Sequence, residues 1–94
     1  MSTPNIFSYQ MDAQSKLDDS NFVAWKFRMQ NILEMYQLWD IVSATEQRPT
    51  DVSLQPAWDA RAKQAKYLLI SSVKDQMYTV IQDQATASDV WQTL

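Results

Sequence analysis

The adjacent carboxylates Asp18 and Asp19 come closest to acid–base equipment in this chain, because two neighbouring carboxyls can hold different pKa values and divide the roles of proton donor and acceptor. They stand in the turn-forming stretch Leu17-Asp18-Asp19-Ser20-Asn21, with no nucleophile and base beside them. Catalysis needs a buried constellation with shifted pKa values, and this stretch does not supply one. The chain also has no cysteine and no histidine, which removes thiol nucleophiles, disulfides, thiolate metal sites and the commonest general base. No catalytic, cofactor-binding or metal-ligating residue is therefore assigned, and neither enzyme activity nor a small-molecule substrate is expected. Asn21 and Asp75 are read as helix caps.

Binding chemistry is better represented. Arg61, Lys63, Lys66 and Lys74 make residues 56–74 locally positive, with Asp59 the one acid among them. A solvated helix face accounts for this pattern. The alternative is an RNA-contacting stripe of Arg61, Lys63 and Lys66, which is weakened because only Tyr67 is interleaved for base stacking. A formal charge of -3 and a pI near 4.6 oppose nonspecific nucleic-acid binding, which relies on counterion release by a basic surface. RNA contact is thus expected only indirectly, through another segment. The four tryptophans, Trp25, Trp39, Trp58 and Trp91, fall one to each main helical segment. Trp25, Trp58 and Trp91 lie on apolar stripes and are expected in the core; Trp39, beside Asp40, is a candidate interface residue.

These residues must be positioned by helices. A chain of 94 residues supports one small domain, and the absence of glycine disfavours hairpins and leaves positive-φ turns to Asn, Asp or Ser. Phe22, Trp25, Met29, Ile32, Leu33 and Tyr36 follow helical spacing, with Ser20 or Asn21 available as a cap. This helix either breaks at Gln37 or runs on to Val42. The turn formers of 45–55 make a loop, and Pro56 suits the first turn of a second helix carrying Trp58, Ala62, Ala65, Leu69 and then Ser72 or Val73. Asp59 and Lys63 are spaced as an i, i+4 pair. Residues 74–84 read as a shorter helix burying Met77, Val80 and Ile81. Thr86 with Asp89 resembles a capping box that opens a last helix with Val90, Trp91 and Leu94. The expected fold is all-α, a small bundle of four to five helices over 17–94. Residues 1–16 are expected to form a flexible arm, in which Phe7 and Tyr9 are further candidate interface residues. No stretch approaches the ~20 apolar residues of a membrane span, and no basic residue precedes an apolar run at the N-terminus, so a cytoplasmic protein is expected.

Asn21-Phe22, Trp25, Met29 and Leu38-Trp39-Asp40-Ile41-Val42, followed by Trp58, Ala65, Ile70, Asp75, Thr86, Ala87, Asp89, Trp91 and Leu94, stand in an order and spacing that resembles the N-terminal Gag region of copia-type LTR retrotransposons. The chain departs from that pattern where the family often has glycine, with Asp18-Asp19 in one turn and Gln37 in the other. The resemblance implies a capsid-like helical domain of a protein that self-assembles into particles around the element's RNA. Its nucleic-acid contact is usually made downstream by a zinc knuckle of cysteines and a histidine, residue types this chain lacks. Self-association or association with full-length Gag is the expected partnership. Because the sequence stops within the Trp-x-x-Leu helix, a fragment or remnant of a particle-forming protein is expected. The alternative is a host-retained monomeric module that binds another protein.

Overall fold

Residues Phe22–Met35 form helix α1, in which Trp25, Met29 and Leu33 recur every fourth residue and turn one side of the helix to the interior. The computed structural model describes residues 14–94, so Phe7 and Tyr9 lie outside the described residues. Four further α-helices follow: α2 (Trp39–Val42), α3 (Gln55–Ser71), α4 (Tyr78–Ile81) and α5 (Ala87–Thr93). Short 3-10 turns at Val52–Leu54 and Asp75–Met77 lead into α3 and α4, and no strand forms among the described residues. The all-α bundle expected from the sequence is the fold the chain adopts.

Helix α3 packs against both α2 and α5, and it places Ala65, Leu68 and Leu69 at the centre. Around them lie Leu38 and Val42 at α2, Ile81 from α4, and Ala87, Val90 and Trp91 from α5. Ile32 and Met77 pack against this core from its edge. The segment before α1 is tied to the far end of α3: the Leu17 amide donates to the Ser72 carbonyl at 3.0 Å, and the Lys74 amide donates to the Leu17 carbonyl at 2.9 Å. The same Ser72 carbonyl accepts the Trp25 indole N–H at 2.8 Å. Leu17, Trp25, Ser72 and Val73 are all buried, so these bonds form away from water, where an unpaired group would cost about 1–3 kcal/mol.

Helix α1 does break at Gln37, and the mechanism is local. Gln37 takes φ 62°, its amide donates to Glu34 at 3.0 Å, and the Leu38 amide donates to Leu33 at 2.7 Å. This is a Schellman closure, completed by the buried pair Leu33 and Leu38. Arg61 holds the turn by donating to the Gln37 carbonyl at 2.6 Å. The second positive-φ residue is Ala44, at φ 63°. Left-handed turns expected at Asn, Asp or Ser thus fall on Gln and Ala; the Arg61 contact supports the first, and local bonds to Ile41 and from Gln47 hold the second.

Other expectations change as well. Phe22 is 38% exposed and lies outside the core; the Lys26 ammonium lies 5.1 Å from its ring and 5.1 Å from that of Trp91. Val80 is exposed, since α4 is a single turn and buries only Ile81. Asn21 does not cap α1 with its side chain. Its Oδ1 accepts from the Asp18 amide and its Nδ2 donates to the Lys16 carbonyl, both at 2.9 Å, bracing the preceding turn. Asp75 lies inside a 3-10 turn that begins after Lys74 and has no side-chain cap. Thr86 caps α5 as expected, accepting from the Asp89 amide at 3.1 Å.

Three carboxylates are held in the charged form. Asp18 lies well below the usual carboxylate range because the Ser20 hydroxyl and amide donate to it and the Lys74 ammonium sits 2.9 Å away. Asp51 is lowered by the Ser53 hydroxyl and amide, and Asp59 by the Arg48 guanidinium.

Three predictions follow from this construction. Trp25→Phe removes the buried donor to Ser72 and part of the ring, and should lower unfolding free energy by about 1–3 kcal/mol in urea titration. Gln37→Gly should raise it by roughly 1 kcal/mol, because a left-handed backbone costs a non-glycine residue on the order of 1–2 kcal/mol and glycine's greater freedom when unfolded cancels part of the gain. Asp18, Asp51 and Asp59 are more acidic folded than unfolded, so their stabilisation is complete above the ordinary carboxylate pKa of ~4 and is lost as pH falls below it toward the folded values. The urea midpoint should therefore hold level near neutrality and drop below that pH. Asp18→Asn should flatten the drop, and an unchanged acid limb in that variant would remove Asp18 from the account.

Candidate functional site

The described residues enclose a groove of about 370 Å³ between the loop after α2, the first turns of α3, and the connection from α4 to α5. Helix α3 supplies Trp58, Ala62, Lys63 and Lys66, because positions three and four apart share one face. Ile41 and Ala44 line the groove from the α2 side, and Ala85 and Ala87 from the α5 side. The alanines keep the floor open, and the long side chains stand at the rim. Trp58 forms one wall. Its indole N–H is buried and has no acceptor among the described residues, an arrangement that costs about 1–3 kcal/mol.

Rim charges are set by ion pairs that also shape the loop. Arg48 makes a two-pronged contact with Asp59, both bonds at 2.9 Å, which raises the Arg48 pKa further and lowers that of Asp59. Asp59 thus takes Arg48 as its hydrogen-bonded partner, and Lys63, its expected i, i+4 partner, acts on it only through charge. Arg61 grips Glu46 at 2.8 and 3.2 Å while it holds the Gln37 carbonyl. Lys66 donates to the Ala85 carbonyl at 3.1 Å, bridging α3 to the α5 side of the groove. The arrangement offers apolar contact and positive charge. The perturbed carboxylates are hydrogen-bonded as anions, which suits caps and ion pairs and not a proton donor poised near neutrality.

The tryptophans divide between two places. Trp25 stacks on Trp91 with ring centres 5.9 Å apart, and Trp39 meets Trp91 edge-on at 5.2 Å. Trp39, expected at an interface, is therefore half-buried with one side committed to the core, and its remaining surface borders a shallow polar cleft with Glu34, Gln37, Asp40 and Arg61. Trp58 and Ala62, expected in the core, are half-buried groove residues instead, and α3 buries Ala65, Leu68 and Leu69 further along the helix. Of the three residues weighed for RNA, Lys63 and Lys66 reach the groove, whereas Arg61 is turned away to clamp Gln37 and Glu46. Sequence reasoning missed Ile41, Ala44, Arg48 and Ala85 as groove residues. Alanine in the loops on either side of a tryptophan helix was the available signal.

A second surface lies on α1. Val23 and Phe27 are 82% and 72% exposed, and they project opposite the buried stripe of Trp25, Met29 and Leu33. They form an i, i+4 pair, so they make one apolar patch and not two isolated side chains.

Among the described residues no helix is long and apolar enough to cross a membrane. No curated protein and no solved structure matches this chain. Residues 29–94 match the family described as the gag-polypeptide of LTR copia-type. That span takes in the second half of α1 and all of α2 to α5, including the groove and two of the three stacked tryptophans, Trp39 and Trp91. The chain belongs to the copia-type LTR gag-polypeptide family.

Proposed function

We propose that this protein is a non-enzymatic structural module that associates with copies of itself or with full-length Gag, as a capsid-like part of a particle-forming protein in the cytoplasm. One observation carries the reading: the Val23 and Phe27 patch on α1, left bare by a helix whose opposite side already completes the core. Such a pair buries little within its own chain, and covering it with a second copy gains on the order of 1.5–3 kcal/mol for each side chain. Family membership supports the same reading. RNA enters this scheme indirectly, since Arg61 is engaged in holding the fold and the chain as a whole is acidic.

Sedimentation velocity from micromolar to near-millimolar protein tests this. The wild type should sediment faster as concentration rises. A Val23→Asp, Phe27→Asp double variant should stay monomeric with unchanged far-ultraviolet circular dichroism, its dissociation constant raised at least about a hundredfold. Trp39→Ala is a poorer probe, because it also removes the edge contact to Trp91. A wild type that remains monomeric throughout would sink the reading.

A further inference from the structure

We infer that the groove beside Trp58 is a docking site for a short extended peptide of another protein in which apolar side chains alternate with carboxylates. Self-association through α1 neither requires nor supplies this site. The chain carries a formal charge of -3, yet the groove's walls hold Lys63 and Lys66 beside two charges that are already matched, Arg48 by Asp59 and Glu46 by Arg61, so the lining is left positive. A positive rim on an acidic protein attracts an anionic occupant and repels further copies of the same acidic chain.

The floor then decides which anion. Ile41, Ala62 and Ala87 present apolar carbon, and a volume of about 370 Å³ accommodates a few side chains, not a folded surface. RNA is the poorer match. Base stacking needs several exposed aromatic faces along an extended basic track, and here two lysines make no track and Trp58 is the one aromatic residue of the lining. The buried Trp58 N–H adds specificity. A slight turn of the indole toward the groove would offer it to a peptide carbonyl or carboxylate and relieve the unpaired donor.

Fluorescence anisotropy with a labelled peptide of alternating aspartate and leucine tests the proposal, together with the indole N–H resonance of Trp58 in nitrogen-15-labelled protein. The peptide should bind and shift that resonance. Its asparagine–leucine counterpart should bind about tenfold more weakly, and its lysine–leucine counterpart should not bind. Lys63→Glu, at an exposed position, should weaken binding by about tenfold or more without altering the fold. Ala62→Trp should abolish binding by filling the floor, and the Val23→Asp, Phe27→Asp variant should bind as the wild type does. The proposal is overturned by absence of binding, by equal affinity for all three peptides, by a perturbation that spares Trp58, or by displacement of the peptide with a single-stranded oligonucleotide.

Discussion

The carbonyl of Ser72 ties the segment before α1, and α1 itself, to the end of α3. It stands at the C-terminal end of α3, where helical carbonyls lose their internal partners, and it takes two donors from the opposite end of the sequence: the Leu17 amide and the Trp25 indole. Ser72 is fully buried, and its own hydroxyl donates back to the Leu68 carbonyl at 2.7 Å, so its polar atoms are matched. Because both donors are far away in sequence, the start of α1 must meet the end of α3 before either bond can form. In exchange, the position of α1 is fixed at two points, which orients Trp25 toward Trp91 and leaves Val23 and Phe27 facing outward.

Trp91 carries this order across the core. It stacks on Trp25 from α1, meets Trp39 from α2 edge-on, and receives the Lys26 ammonium over its ring. Three helices therefore share one aromatic centre, held by a helix of only seven residues. An isolated helix of that length has almost no stability in water, and α5 persists because Thr86 caps it and Ala87, Val90 and Trp91 are buried together. With this centre closed, Trp58 is left to the other end of α3 and becomes a wall of the groove.

Helical periodicity revealed the elements themselves. The stripe Trp25, Met29 and Leu33, the alanine-lined α3, and the Thr86 cap were all legible because each depends on residues within a turn or two of one another. What could not be read depends on partners distant in sequence. The left-handed turn at Gln37 is held by Arg61, 24 residues further on, and that contact is not visible in a local propensity. Trp58 sits on as good an apolar stripe as Trp25 does. Which of the two reaches the centre is decided by how the helices dock, and periodicity along one helix carries no information about that. Likewise the basic run of α3 looked like one stripe, and only loop geometry sorts Arg61 into the fold and Lys63 and Lys66 to the groove.

The two candidate surfaces depend on different physical terms, and this separates them functionally. The Val23 and Phe27 patch is apolar and offers no formal charge of its own, so contact there gains from burial and is indifferent to the sign of the partner. The groove combines a small apolar floor with a cationic rim, so it discriminates by sign and is weakened by salt. One surface lies on the outward side of α1, and the other is built from α2, α3 and the approach to α5. A copy engaged through α1 therefore loses none of the residues that line the groove, and assembly and peptide capture draw on separate parts of the same fold.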